Sequence, residues 1–243
     1  MSVLTPEPAE GSVMVPEQVL VDLAQVLAHR LRGLVASIEG FTDLLTDTLF
    51  SRDQRELALR ILEGAARIER VLADLQRYGD PVEPVQLPLL VGDVTADLLA
   101  PLPEPERARV TLRHDHQPAT AELPLLADPF LLRQALLVLV QNALDATRHG
   151  GDVHLVVRTD DAGWVCFDVW NTGFIDLPSP ETQVFLPFFT TKAQNLGVGL
   201  PMAARIAAAH GGAVSLALND PAAGTCFTLA LPIAPEEAGL DLL

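Results

Sequence analysis

Three features of this 243-residue chain have residue types and spacings suited to handling a charged small molecule. Gly197 and Gly199, in NLGVGL, directly precede an apolar segment of helical period. Their backbone can approach a polyphosphate closely and aim N–H groups from the positive end of a helix. A Gly-x-Gly before a helix is equally an ordinary turn, so alone it specifies little. Lys192 sits beside Thr190 and Thr191 and is the sole lysine among sixteen basic residues. A compact ammonium there suits phosphate oxygens, while placement in a loop without a ligand is the plain alternative. His29 lies midway between Leu27 and Leu31 on a pattern of helical period, at the position facing away from the apolar seam. An exposed helix histidine taken in isolation is an ordinary surface residue.

The elements that must position these residues can be read from periodicity. Leu20, Ala24, Leu27, Leu31, Leu34, Ile38, Phe41 and Leu45 recur at alternating steps of four and three, and Leu57, Ile61, Gly64, Ile68, Val71, Leu75 and Tyr78 follow the same rule. Helices over 16–49 and 53–78, joined by residues 50–52, must fold back as an antiparallel hairpin. Two long helices bury only a seam, so a homodimer forming a four-helix bundle is expected. Pro81, Pro84 and Pro88 forbid a continuous helix and mark a linker over 80–88. Beyond it, strands are expected at 109–113, 152–159, 164–169, 213–218 and 225–231, and helices at 89–99, 128–147 and 199–210. Antiparallel strand pairs with a few helices indicate an α+β sandwich, helices on one sheet face. Between 171 and 198 the pattern breaks down for longer than a passive loop usually runs, which marks a candidate lid.

Composition limits the function classes. The chain has 49% hydrophobic residues and mean hydropathy +0.28, which excludes wholesale disorder. A net charge of −16 argues against nucleic acid and anionic membrane surfaces as partners. Residues 16–79 carry ten acids and eight arginines, whereas 80–243 carry twenty acids and eight bases, a difference that suggests two units. Cys166 and Cys226 are too far apart for a metal or redox pair. With no leader pattern and no apolar run of spanning length, a soluble protein in a reducing cytoplasm is expected.

The string LAHRLRGLVASIEGFTDLL resembles the phosphoacceptor box of sensor histidine kinases. Residues from ADPFLLRQALLVLVQNALDAT through VWNTG, VFLPFFTTK, NLGVGL and AAGTCFTLALP resemble, in order, the N box, first glycine box, F box, second glycine box and closing hairpin of that family's gyrase-type ATPase domain. The resemblance implies an α-helical hairpin, dimeric as a four-helix bundle, followed by an α+β sandwich ATPase domain. It divides the chain into a tail at 1–15, a phosphotransfer hairpin at 16–79, a linker at 80–88, the ATPase domain at 89–235 and a tail at 236–243. It implies a soluble kinase that takes the γ-phosphoryl of Mg-ATP onto His29 and passes it to an aspartate of a response-regulator receiver domain, with a separate sensor protein as a further partner. Asn142 would face Mg²⁺ and the triphosphate; Asn171 and Gly173 would meet adenine; Lys192, Gly197, Gly199 and Thr225 would complete the nucleotide site. Phe185, Phe188 and Phe189 are read as packing residues of the lid.

Several positions depart from the family's pattern. Arg30 stands where an acid usually follows the phosphoacceptor, and a guanidinium cannot be a general base. Gly33 stands where Thr or Asn would orient water for phosphatase chemistry. Val138 replaces a second polar ligand four residues before Asn142, while Asn171 and Asn195 replace an Asp and a Gly. Arg30 and Val138 motivate the alternative of a degenerate histidine phosphotransfer and docking protein with weak or no ATP binding.

Overall fold

A computed structural model describes residues 17–46, 51–115, 119–147, 150–192 and 196–234. The two expected tails and Asn195 lie outside the described residues, as does the side chain of Arg30. The chain divides into two compact units, Met1–Pro81 and Val82–Leu243.

The first unit is a hairpin of helices α1 (Glu17–Thr46) and α2 (Arg52–Gly79). Ser51 starts α2 through a reciprocal capping box: its hydroxyl accepts from Gln54 N while the Gln54 side chain accepts from Ser51 N. The seam between the helices differs from the one expected. It is built from the small residues Ala28, Val35 and Ala65 with Leu72, and Leu75 packs against them. Ala24 and Ala58 are also buried. The large apolar residues of the expected seam are largely exposed, Leu31 at 40% and Phe41 at 69%. Small side chains let two helices approach closely, so the bulky row, one step round each helix, is left without a neighbour inside one chain.

The second unit places a five-stranded sheet under two principal helices. Its strands are β2 (Val110–His114), β4 (Val153–Thr159), β5 (Trp164–Asn171), β6 (Ala213–Asp220) and β7 (Gly224–Pro232), in the order β2-β4-β5-β7-β6. A separate antiparallel ribbon pairs β1 (Leu87–Leu90) with β3 (Pro124–Ala127). The sheet is mixed, because β2 runs parallel to β4. Leu89 and Leu90, expected to open a helix, belong to β1, and only α3 (Val91–Ala96) follows as helix. A short apolar run cannot be assigned to strand or helix by period alone, and the partner strand β3 decides it. Two single-turn helices, α4 (Glu104–Arg107) and α6 (Pro180–Gln183), complete the connections.

The core follows the two-residue period of the strands. Leu155, Val169 and Phe227 stand in register across β4, β5 and β7 and are fully buried, while the next register row carries Asp168 and Thr228 on the opposite face. On that face Arg158 Nε donates to Asp168 Oδ2 at 2.5 Å and Thr228 Oγ1 donates to Asp168 Oδ1 at 2.6 Å. Helix α5 (Pro129–Ala146) packs on β4 and β5, and α7 (Gly199–Ala209) packs on β6, β7 and α5. Leu132, Ala135, Leu136, Leu139 and Ala143 bury the sheet-facing side of α5.

Candidate functional site

His29 is exposed on α1, on the side of the helix opposite the half-exposed Leu27 and Leu31. One helical turn on, Arg32 Nη2 donates to Gln76 Oε1 of α2 at 2.6 Å. One turn before, Gln25 Nε2 donates to the carbonyl of Gly79 at 2.7 Å. The segment of α1 bearing His29 is therefore tied to α2 on both sides of it, which holds the imidazole's base while leaving the ring free. A side chain at Gly33 would meet nothing within 4 Å, so nothing described in the hairpin calls for glycine there.

In the second unit the functional residues are arranged along one face of α5. Val138, Asn142 and Asp145 are spaced by four and three and so share a stripe. Asp128 caps the helix start: its Oδ1 accepts from Phe130 N and Leu131 N, and its Oδ2 accepts from Val85 N. Burial pushes the Asp128 carboxyl up, but these three N–H donors outweigh it and hold the group below its ordinary value. Asp128 N donates to Nε2 of buried His210, which places the ring proton on Nδ1, the donor to Ile206 O at 2.7 Å. The His of AAAHGG thereby fastens the start of α5 to the end of α7.

Three segments converge on the α5 stripe. At its N-terminal end, a side chain on Gly199 would come within 3.2 Å of Val138 Cγ1, so glycine lets the start of α7 approach α5 at Val138. In the middle, Lys192 Nζ donates to Asn142 Oδ1 at 2.9 Å and to Asp145 Oδ2 at 3.0 Å. At the C-terminal end, a side chain on Gly173 would approach Ala146 Cβ to 3.0 Å and Asn171 Oδ1 to 2.7 Å. Gly173 N donates to Asn171 Oδ1 at 2.7 Å, and the Asn171 side chain is almost fully buried. Thr225 Oγ1 lies 2.8 Å from Gly173 O and 3.1 Å from Asn219 Oδ1.

The loop carrying Lys192 is pinned at its base. Phe188 N donates to Gly197 O at 3.0 Å. Gly197 has φ +74° and its missing side chain would lie 2.5 Å from the Phe189 carbonyl oxygen, so only glycine fits. Phe188 itself adopts φ 64°, an unfavourable left-handed conformation for an aromatic residue, at the loop's entry. Phe185 packs edge-on against Phe227 of the core at 6.2 Å.

Two further residues of this region are not among the expected site residues. Asp145 shares its face with Asn142 by helical spacing, and that spacing could have found it. Asn219 braces the chain after Gly173, its amide donating to Ile175 O and its oxygen accepting from Ile175 N. An asparagine in a strand carries no periodic signal that would single it out. Asn142 and Asp145 present hard oxygen donors converging on one cation, here an ammonium, which is the chemistry that also suits Mg²⁺. Among the described residues no group of three His, Cys, Asp or Glu side chains could hold a metal by itself. A divalent cation at this place would need oxygens from its ligand.

Residues 127–235 match the family described as histidine kinase-, DNA gyrase B-, and HSP90-like ATPases. The sensor histidine kinase ZraS of Klebsiella oxytoca is 30% identical over 213 residues, covering 87% of this chain and 46% of that protein. The chain thus spans about half the length of the curated relatives it matches. Among solved structures, full-length ShkA in complex with AMPPNP superposes with TM-score 0.66 at 24% identity, covering 88% of this chain and 46% of the other. The histidine kinase ThkA in complex with the response regulator TrrA superposes with TM-score 0.63 at 22% identity, covering 90% and 63%. These two likenesses extend through both the helical hairpin and the mixed sheet. No helix among the described residues is long and apolar enough to cross a membrane.

Proposed function

We propose that this chain, whose residues 127–235 match the histidine kinase-, DNA gyrase B-, and HSP90-like ATPases, is a two-component histidine kinase that phosphorylates its own His29 from Mg-ATP. The observation that carries this reading is the exposed imidazole on a helical hairpin in the same chain as the convergent stripe on α5. In the transfer, a ring nitrogen of His29 forms a bond to the γ-phosphorus as the bond from that phosphorus to the β,γ-bridging oxygen breaks, and ADP leaves. The proton on the attacking imidazole's other nitrogen goes to solvent. Phosphoryl transfer of this kind rests on positioning and on charge neutralisation rather than on protein covalent chemistry.

The chain's own residues divide that work. Asn142 and Asp145 would hold Mg²⁺, which when bound neutralises triphosphate charge. Backbone N–H groups at the start of α7, at Gly197 and Gly199, would receive phosphate oxygens. Asn171, Gly173 and Thr225 form the wall against which adenine would lie. Arg30, next to His29 in the sequence, would supply positive charge in place of a base. The phosphoryl group then passes to an aspartate of a response regulator, as the complex of the ThkA neighbour suggests. The exposed apolar row of the hairpin supports a homodimeric four-helix bundle, with a soluble, cytoplasmic setting and a separate sensor as its input.

Incubation with labelled ATP and Mg²⁺ tests the reading. Acid-labile, base-stable label is expected on the wild type and absent from His29→Ala and Asn142→Ala. Label that persists in His29→Ala would refute it. A second reading is favoured by the packing of Val138 against the start of α7: a phosphotransfer and docking protein with weak ATP binding. No label from ATP, with His29 accepting phosphate from a phosphorylated receiver domain, selects it.

A further inference from the structure

The only lysine in the chain spans the residues assigned above to the nucleotide's cation. Lys192 Nζ is within hydrogen-bonding distance of both Asn142 Oδ1 and Asp145 Oδ2, and both ends of its ion pair with Asp145 are less than a third exposed. An ammonium and a divalent cation cannot share one position, since each is attracted to the same oxygens and the two repel each other. Asp145 also supplies a negative oxygen one turn beyond Asn142, where Val138, one turn before it, supplies none.

We propose that Asn142 and Asp145 form a single cation cradle that Lys192 occupies in the nucleotide-free protein, so that binding of a Mg-nucleotide requires the lysine to leave. This inference rests on the nucleotide reading above and adds Asp145 and an internal competitor to it. The displaced ammonium stays tethered to the loop pinned by Phe188 and Gly197, within reach of the incoming phosphates, so its charge is redirected rather than lost. Lys192 thus has opposite effects on the two partners: it competes with the cation and attracts the phosphates. A binding titration separates these effects.

Two measurements on the full chain test the exchange. The first is the rate of acetylation of Lys192 by an amine-reactive ester in EDTA, read by mass spectrometry with the amino terminus as internal reference. Asp145→Asn is expected to raise that rate about five- to tenfold, the worth of one charge-assisted contact. The second is calorimetric titration with ADP across a series of Mg²⁺ concentrations. In Lys192→Gln the Mg²⁺ concentration giving half-maximal ADP affinity should fall several-fold, even if affinity at saturating Mg²⁺ also falls. An unchanged acetylation rate in Asp145→Asn, or an unchanged Mg²⁺ midpoint in Lys192→Gln, overturns the exchange and leaves the nucleotide reading standing. Absence of ADP binding by wild type at any Mg²⁺ concentration overturns both.

Discussion

A methyl group added to Gly224 would collide with the carbonyl oxygen of Asn171, and the backbone there has φ +92°. Gly224→Ala is therefore expected to cost more than about 2 kcal/mol of stability in urea unfolding and to disturb the Asn171–Gly173 turn beside it. Asp128 acts by charge and capping rather than by space. Asp128→Ala should cost about 1 kcal/mol at neutral pH, the usual worth of an N-cap. Its carboxyl is held below the ordinary value of 3.8, so this contribution is complete above that pH and is lost as pH falls through the depressed native value. Urea midpoints of variant and wild type should accordingly converge in acid and stay apart from pH 5 upward. The Cys226 thiol is pushed up to about 11 by burial, with Asp168 adding to the shift. Alkylation of Cys226 by iodoacetamide at pH 8 should be slow in the folded protein and should become fast on unfolding.

At the scale of elements, the hairpin carries two apolar rows with different jobs. The row of Ala24, Ala28, Val35, Ala58, Ala65 and Leu72 closes α1 on α2. The row of Leu27, Leu31, Leu34, Ile38 and Phe41, with Ile61 and Ile68, is exposed over several helical turns, more apolar surface than a monomeric helix pair commonly leaves in water. His29 is about half a helical turn away from that second row, so covering it need not cover the imidazole. Ile38→Glu or Phe41→Glu should convert a species of twice the 26.1 kDa chain mass into a monomer in sedimentation equilibrium. Wild type that sediments as a monomer at micromolar concentration would contradict the four-helix bundle. Helix α5 has the converse design, with one face given to the sheet and the other left to Val138, Asn142 and Asp145.

At the scale of the whole molecule, ligand linkage offers a test that needs no phosphorylation. Anything that binds only the folded second unit stabilises it, by about 2.7 kcal/mol at a hundredfold excess over the dissociation constant, and so raises its melting temperature. Mg-ADP should stabilise wild type in this way and Asn142→Ala much less, as read by scanning calorimetry. Much of the molecule was legible in the sequence because periodicity is a local property. The hairpin, the strands from 152 onward, the α5 and α7 helices and the Asn142, Gly173, Lys192, Gly197 and Gly199 positions all follow from spacing or motif order. What the chain order could not convey is which neighbours those patterns would meet. Heptad spacing selects an apolar row but says nothing of how closely two helices approach, so the alanine seam took the place expected for the leucines. Leu87–Leu90 became a strand because Pro124–Ala127, more than thirty residues away, offered it hydrogen-bond partners. The engagement of Lys192 by Asn142 and Asp145, across 50 and 47 residues, exists only where the chain returns to the same face of α5. Local sequence sets the torsional and apolar preferences of each segment, whereas contacts between distant segments depend on closing long loops, and only the folded chain determines which of them form.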